Sequence, residues 1–444
     1  MLTRDEAEQL ASKILKYSTF PECSIEVQGA ETLNIRFANN GVTTSGFVTG
    51  RAITIASTRE ARTGVASTDQ TGDDALRAAV KRSEEMAALS PVNPERMPPL
   101  GKQEYPDADH FDEASAAARG EVLVPQIRAV IDRAVRDKFV AAGFFERSAA
   151  GRAVANKAGL FGYSRSTDAN LTATVRTADG KSSGWAGRPA VRIGEIDGAE
   201  VAERAAGKCA RWRNPVRLEP GRYTVVLEPN AVCNLVGFLG GAAMSARDAE
   251  QGNSFLSRKG GGTLTGEKLF PEAITLRSDP FEPRLVSAPW SGGEDPLPTR
   301  KLTWIDRGVV RNLYYDRYWA GKKGKSATPF ASSLVLEGGD ASLEELIATV
   351  QRGLLVTRLW YIRELNPRTL QLTGLTRDGL FLIEDGKIAR PAMNFRFNES
   401  PVRMLENVRK LGRAERAESF EGGSMIVPPL VADSFNFASV SDAV

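Results

Sequence analysis

Histidine, the residue that most zinc proteases use to bind their metal, occurs once in this chain of 444 residues, as His110. A protease of the HExxH or HExxxH type needs two histidines on one helix face to hold zinc, with the glutamate between them as base. The three cysteines, Cys23, Cys209 and Cys233, are not spaced as the ligands of a mixed zinc site are. We therefore expect no metal site in this chain.

Other catalytic patterns are incomplete. His110 lies in an acidic stretch, 107–113, which we interpret as a solvated linker. The nearest candidate for a nucleophile, Ser164, lacks the second glycine of a nucleophile elbow. The glycine-rich segment 259–268 lacks a lysine directly after its closing glycine, as a phosphate-binding loop requires. Paired carboxylates stay open, because 55 acidic residues always offer candidates.

Composition describes an ordinary globular chain. Hydrophobic residues make up 42% and charged residues 25%, and 58 basic residues are interleaved with 55 acidic ones, which gives nucleic-acid binding no support. The uncharged run 229–246 contains too many polar groups for a membrane span, and we expect it to be buried. Three cysteines without paired spacing, and a start without an apolar signal region, predict a cytoplasmic protein.

The hydrophobic patterns predict a mixed α+β fold. We expect an N-terminal α/β domain with a mixed sheet over 1–98, a proline-rich acidic linker over 99–112, and a middle domain over 113–219. A strand-rich C-terminal domain, barrel-like or sandwich-like, should occupy 220–444.

Local signals place several elements within these domains. Capping boxes at Thr3/Glu6 and Ser342/Glu345 mark helix starts. Glycine-containing turns at 306–308 and 384–387 predict hairpins. Ser400-Pro401 predicts the start of a helix that contains Val408 and Leu411 and is ended by Gly412.

Six segments, in their order and spacing, make the chain resemble the TldD/PmbA family, known as modulators of DNA gyrase and as peptide-maturation metalloproteases. The resemblance runs nearly end to end and rests on 5–8, 62–68, 155–160, 220–229, 316–320 and 435–437. The charge pattern gives the gyrase role no support.

The resemblance implies a specific place in that family. Its catalytic members carry HExxxH on the helix after the strand at 222–227, and a C-terminal cysteine also binds zinc. Here those motif positions fall near Gly237, Phe238 and Ala242, and no cysteine follows Phe420. The chain is thus similar to the PmbA (TldE) branch, which lacks the metal site.

On that resemblance we expect a non-catalytic subunit, inactive on its own, of a heterodimeric zinc metalloprotease that processes unfolded peptides. Zinc would belong to a TldD-like catalytic partner. The alternatives are a stand-alone homodimeric peptide-binding protein without proteolytic activity, and an independent hydrolase that uses carboxylates or a serine. The sequence identifies neither the peptide nor the partner.

Two strand-like segments, 358–363 and 394–398, are candidates for peptide binding because they mix strand-forming and polar residues. An extended peptide could pair with a free strand edge there. An ordinary strand within a sheet is the other interpretation of both segments. The candidate substrate-binding residues are Arg358, Tyr361, Arg363, Asn394 and Arg396.

Overall fold

Long antiparallel strands build the first half of the chain. The computed structural model describes residues 1–292, 295–419 and 423–441. Six strands form one sheet in the order β3-β2-β1-β4-β5-β6. Their bounds are β1 (Glu22–Ala38), β2 (Gly41–Arg59), β3 (Arg62–Thr68), β4 (Phe139–Asn156), β5 (Phe161–Thr177) and β6 (Ser183–Ala190).

Five helices accompany this sheet and bury two separate cores against it. The first pair packs with β1 and β2, and the last two long helices pack with β4, β5 and β6. The predicted capping box of Thr3 and Glu6 starts the first helix. The helices are α1 (Arg4–Tyr17), α2 (Asp73–Leu89), α3 (Glu113–Ala117), α4 (Gly120–Arg136) and α5 (Gly198–Arg211).

The sheet runs across the boundary that the prolines suggested. Strand β1 pairs with β4 from Ser24↔Asn156 to Phe37↔Gly143, so segments 1–98 and 113–219 share one sheet. Every pairing in this sheet is antiparallel, where we expected a mixed sheet. The two segments therefore form one lobe, which we call the N-lobe (residues 1–211).

The predicted linker 99–112 is a strap that is fixed to both halves of the molecule. The Leu100 carbonyl accepts a hydrogen bond from Asn156 Nδ2 at 2.8 Å, and the Tyr105 hydroxyl donates to the carbonyl of Pro296 at 2.8 Å. His110 is 2% exposed, and its Nε2 lies 2.7 Å from the Pro280 carbonyl oxygen. The prediction of a solvated histidine was wrong, because the His110 ring is buried against the Pro280 carbonyl, although Lys102, Glu104, Asp107 and Asp109 of the strap are exposed.

The second half of the chain, which we call the C-lobe (residues 220–441 as described), contains two sheets, and neither closes into a barrel. The nine-stranded sheet consists of β7 (Gly221–Leu227), β12 (Arg352–Val356), β13 (Leu359–Asn366), β14 (Gln371–Thr376), β15 (Leu380–Glu384), β16 (Lys387–Pro391), β17 (Phe395–Glu399), β18 (Val408–Leu411) and β21 (Leu430–Val440). The six-stranded sheet consists of β8 (Leu276–Ser278), β9 (Leu302–Asp306), β10 (Val309–Val310), β11 (Leu334–Leu336), β19 (Glu415–Ser419) and β20 (Gly423–Val427).

One apolar helix packs between the two sheets of the C-lobe. Residues 231–233, 235 and 236 of α6 belong to the same core as both sheets, and the helix contacts β19, β20, β13 and β7. The C-lobe helices are α6 (Pro229–Val236), α7 (Ala246–Glu250), α8 (Arg317–Lys323), α9 (Leu343–Ile347) and α10 (Pro401–Glu406). No helix in the described ranges is long and apolar enough to cross a membrane.

Most local signals in the C-lobe are confirmed, and one is wrong. The turn at 306–308 joins β9 to β10, the turn at 384–387 joins β15 to β16, and Ser342 with Glu345 starts α9. The helix that Ser400 caps ends at Glu406 rather than before Gly412. Residues 408–411 pair with β21 as strand β18 instead, so sheet pairing overrode the helical pattern.

Gly64 of β3 has no space for a side chain, because a Cβ atom there would lie 2.1 Å from the Ser83 carbonyl oxygen of α2. We expect Gly64→Ala to lower the free energy of unfolding by at least about 2 kcal/mol, since helix and sheet must move apart. Gly50→Ala on β2 is the control, because a Cβ atom there meets nothing within 4 Å. Chemical denaturation measures both, and equal stabilities would contradict this packing.

The three cysteines are free and buried. Burial raises the pKa of each thiol, and that of Cys233 to about 12. Because only the thiolate reacts with aromatic disulfides, we expect no rapid modification of the native protein at mildly alkaline pH. All three thiols should react in denaturant, and a thiol that reacts quickly in the native protein would contradict the burial.

Candidate functional site

A cleft lies where helix α5 of the N-lobe meets the C-lobe. It consists of an outer cavity of about 680 Å³ and an inner cavity of about 230 Å³. Arg204, Lys208, Glu228 and Glu415 line both cavities. Since side chains of both lobes meet there and concave interlobe sites are common ligand sites, we take this interlobe cleft as the candidate site.

Glu228 is the most deeply buried carboxylate of the cleft. It follows the last residue of strand β7, directly precedes Pro229 at the start of helix α6, and is 4% exposed. Its Oε2 accepts a hydrogen bond from Lys208 Nζ at 2.6 Å. A carboxylate this far from water requires a counter-charge, and Lys208 supplies it from the other lobe.

Lys208 is held from two sides. Its ammonium also donates to the Trp185 carbonyl at 3.3 Å. Burial lowers the pKa of Lys208, although the charge of Glu228 opposes that shift. A buried lysine with a lowered pKa is a frequent property of functional sites, and here two of its three N–H groups have fixed acceptors.

Arg204, one helical turn before Lys208, extends the charged cluster. Its Nη2 lies 3.8 Å from carboxylate oxygens of both Glu228 and Glu415, and its Nη1 lies 3.6 Å from Glu200. Burial opposes the change, but these three carboxylates together raise the pKa of Arg204. The guanidinium therefore stays charged and links α5 to strand β19.

Arg358, one of the predicted peptide-binding residues, lies in the inner cavity. Its guanidinium carbon lies 4.4 Å from the Trp185 ring centroid and 4.8 Å from that of Trp360. Its Nη1 donates to Asp378 at 3.1 Å, a carboxylate that also accepts from Ser183 Oγ at 3.0 Å. Cation–π contacts and the ion pair fix this side chain across the lobe boundary.

Tyr361 and Arg363 lie elsewhere, on the edge strand β13. Within the described residues, β13 pairs with β14 alone. Tyr361 is 57% exposed with a φ of 56°, at a shift of register, and the Arg363 guanidinium lies 4.4 Å from its ring centroid. The side chains of Tyr361 and Arg363 are exposed on this strand.

Asn394 and Arg396 belong to an inner part of the sheet. Asn394 is 1% exposed, and its Oδ1 accepts from Thr376 Oγ1 at 2.8 Å. Arg396 is exposed on β17, a strand that pairs with both β14 and β21. Arg396 thus lies on a strand that is paired on both sides, and Asn394 directly precedes that strand. Neither residue lines the inner cavity with Arg358.

The positions that correspond to the family's zinc motif lie at the end of α6. The helix ends at Val236, and short 3-10 turns follow at Gly237–Leu239 and Gly241–Met244, so the three positions do not share one continuous α-helix. Gly240 and Gly241 pack tightly, because a Cβ atom on either would lie 2.8 Å from Leu334 or Phe330.

These positions do not fit a zinc ion. Glycine at 237 and phenylalanine at 238 offer no nitrogen, oxygen or sulfur in a side chain, and the side chain of Ala242 is outside the described part of the structure. No group of three His, Cys, Asp or Glu residues that could hold a metal occurs among the described residues. The chain therefore has no donor set at the motif.

Sequence reasoning did not identify Lys208, Glu228, Arg204 or Trp185. A usable signal was present at one of them, because Glu228 follows an alternating strand and precedes a proline that can only start a helix. Charged residues at such a strand end are commonly buried against ligands or partners. Lys208 and Arg204 carry no equivalent signal, since lysine and arginine on a helix are usually solvated.

Two family models match the chain. The PmbA/TldA metallopeptidase C-terminal domain matches residues 220–439, and PmbA/TldA metallopeptidase domain 1 matches residues 23–87. Among curated proteins, a metalloprotease of Methanothermobacter thermautotrophicus is 25% identical over 233 residues. That match spans 48% of this chain and 48% of the relative, so it covers about half the length of each.

Solved structures match over the whole chain. TldE from Thermococcus kodakarensis superposes with a TM-score of 0.85 at 22% identity, covering 97% of this chain and 99% of that one. A Thermotoga maritima protein described as a candidate modulator of DNA gyrase gives a TM-score of 0.83 at 17% identity, covering 97% and 100%. At these identities the likeness shows the fold.

The Lys208–Glu228 pair predicts a specific pattern of stability. We expect Glu228→Gln and Lys208→Met each to lower the free energy of unfolding by about 3 kcal/mol, because either leaves a buried charge without its partner. The double variant should lose clearly less than the sum of the single losses. Chemical denaturation measures all three.

Lys81→Met is the matched control for this cycle, since the Lys81–Glu85 ion pair is exposed. It should change the stability by less than about 0.5 kcal/mol. Strictly additive losses at Lys208 and Glu228 would contradict a direct charge interaction between the lobes.

Proposed function

The chain belongs to the PmbA/TldD family of metallopeptidase-like proteins, and from that membership we propose that it is the non-catalytic subunit of a two-subunit zinc metallopeptidase. In this proposal a TldD-like partner supplies the zinc and the catalytic glutamate. The substrate is an unfolded peptide, and the complex is a heterodimer. Three free, buried cysteines fit a reducing compartment such as the cytoplasm.

One observation carries the proposal: the family's fold is complete, and its metal-motif positions hold no metal donor. Gly237 and Phe238 cannot bind zinc, and their neighbours Gly240 and Gly241 are packed against residues 330–334. Such close packing favours a structural role for this segment over a role as an empty metal site. In this proposal, a family member without metal donors contributes to proteolysis through the surfaces that contact the catalytic partner and the peptide.

The edge of β13 supports a role in holding peptide. Residues 361 and 363–366 are exposed, and no described strand pairs with the outer side of β13. An extended peptide can add to such an edge through backbone hydrogen bonds that do not depend on sequence. A peptide so bound would be extended, as a protease subunit requires of an unfolded substrate.

The alternative is a stand-alone homodimeric peptide-binding protein without proteolytic activity. It uses the same peptide-binding surfaces and differs only in needing no catalytic partner. No observation on the cleft or on β13 favours it over the heterodimer, and the presence of a zinc-binding partner separates the two.

Peptide hydrolysis tests the proposal directly. The purified chain should cleave no unstructured fluorogenic peptide, whereas a mixture with a HExxxH-bearing paralogue from the same source should cleave it. A chelator should abolish this activity and added zinc should restore it, because the metal is the Lewis acid of the reaction. The hydrolysis rate, and the zinc content of each purified chain, are measured.

The control is the paralogue alone and the paralogue with a Glu→Gln change in its own HExxxH motif. Cleavage by this chain alone that survives the chelator would overturn the proposal and favour a carboxylate- or serine-based hydrolase. A mixture that neither associates nor cleaves would favour the homodimeric alternative.

A further inference from the structure

Strand β2 of the N-lobe has a long outer edge without a partner strand. Strand β3 pairs with β2 only from Ile53 onwards. Residues 41–52 pair with β1 on their inner side, and no described strand pairs with their outer side. Within residues 42–50, which we call the open edge, every residue except Gly46 is exposed. Since successive side chains point to opposite faces of a sheet, both faces are uncovered there.

The open edge has the composition of a strand that pairs with another chain. It contains no charged residue and no proline, although 25% of the whole chain is charged. Val42, Phe47 and Val48 on it are 53%, 50% and 56% exposed. Natural edge strands are usually protected from association by lysine, proline or an inward-pointing charge. An uncharged edge with exposed apolar side chains therefore indicates a partner chain.

The open edge is preformed for strand pairing. Its register with β1 is continuous from Thr44 onwards, and the one shift of register lies nearer the turn, between Val42 and Thr44. Strand β1 is held from its other side by β4. A partner strand would thus meet an edge that is already extended, which lowers the entropy cost of association.

The sequence of the open edge is complementary to itself. Gly46 is its middle residue, so a two-fold axis at Gly46 places Thr44 opposite Val48 and Ser45 opposite Phe47 of a second copy. No opposed pair brings like charges together, which would destabilise the contact. The two Phe47 side chains lie diagonally across the axis on one face of the sheet, within the reach of aromatic rings.

The available length fits the same arrangement. When residues 42–50 of two copies pair antiparallel, the hairpin turn of each copy ends beside residue 52 of the other. Strand β3 occupies the edge only from Ile53 onwards, so β3 and the turn do not compete for the same backbone groups. A second copy therefore satisfies the whole open edge.

We propose that this chain forms a two-fold dimer in which the open edges of two copies pair antiparallel and join their six-stranded N-lobe sheets. Such an isologous contact uses the same edge on both chains and leaves none for a third copy. The inference goes beyond the proposed function, because it assigns this edge to a second copy and not to the catalytic partner. Two heterodimers joined at β2 would form a dimer of heterodimers.

Disulfide crosslinking of the purified full chain tests the register. Gly46→Cys places a thiol on the axis opposite its own copy, and a Cβ atom there meets nothing closer than Asn34 at 3.6 Å. Oxidation by copper phenanthroline should convert most of the protein to a covalent dimer on a non-reducing gel, since directly opposed strand residues lie within disulfide range. The three native cysteines are buried and should not contribute.

Gly50→Cys is the matched control on the same strand, because a Cβ atom there meets nothing within 4 Å. In the proposed register Gly50 lies opposite Val42, and the two Gly50 residues are roughly 26 Å apart along the strands. This variant should form no covalent dimer under the same oxidation.

Sedimentation velocity at rising protein concentration measures the strength of the contact. One strand pair buries less than the roughly 800 Å² per partner of a standard interface, so we expect a dissociation constant in the micromolar range. Thr44→Lys/Val48→Lys sets lysine opposite lysine at two places and should weaken the dimer roughly tenfold or more. Both side chains are exposed, so the fold of the single chain should be unchanged.

Two further samples complete this measurement. Val124→Lys/Val135→Lys, exposed on α4, adds the same charge away from the edge and should dimerise as the wild type does. A mixture of Thr44→Lys/Val48→Lys with Thr44→Glu/Val48→Glu should dimerise again, because opposite charges then face each other.

Four results would overturn the proposed dimer. Three are a wild type that stays monomeric up to millimolar concentration, equal crosslinking of Gly46→Cys and Gly50→Cys, and unchanged self-association of the double lysine variant. The fourth is a monomeric wild type whose association with the HExxxH-bearing paralogue is lost in the double lysine variant, which would assign the edge to that paralogue. Zinc-dependent cleavage by the mixture is measured separately, so failure of the dimer and failure of the proposed function are distinguishable.

Discussion

A buried carboxylate, that of Glu228, holds the two lobes of this molecule together through ion pairs. Glu228 lies between β7 and α6 and is only 4% exposed, so burying this carboxylate is costly unless a cation lies beside it. The cations come from α5, a helix that belongs to the other lobe. The lobes therefore cannot separate without breaking the ion pairs of Glu228 with Arg204 and Lys208. These ion pairs join the two walls of the interlobe cleft and maintain its shape.

The segment that follows the same junction is held in the core by packing. Helix α6 is enclosed between two sheets, and the residues after it pack by contact rather than by coordination. Small residues at Gly240 and Gly241 bring the backbone against the segment 330–334. The segment after α6 therefore belongs to the core of the C-lobe, while charged groups meet at the lobe boundary.

Sequence patterns predicted what is local and missed what is long-range. Capping boxes and glycine turns depend on neighbours within a few residues, so Thr3 with Glu6 and the turn at 384–387 were predicted correctly. His110 was misjudged because its burial comes from a contact 170 residues away. Arg358 was predicted as a peptide-binding residue from its strand-like surroundings, and the structure places it in the cleft. Glu228 and Lys208 were not identified, since their pairing exists only once the lobes meet.

Strand β21 gives the C-lobe an unusual order of events during synthesis. It lies between β17 and β7 in the nine-stranded sheet. Strand β7 is synthesised more than 200 residues earlier, so its pairing with β21 cannot form until β21 has been made. Pairing across so long a stretch of chain is slow, because the loop between the partners must first close. The N-lobe sheet, complete by residue 190, can form while the rest is still on the ribosome. Local hairpins such as β15–β16 can form early, but β7 would lack β21 until translation is nearly complete, and chaperones would meet the nascent protein chiefly at the C-lobe.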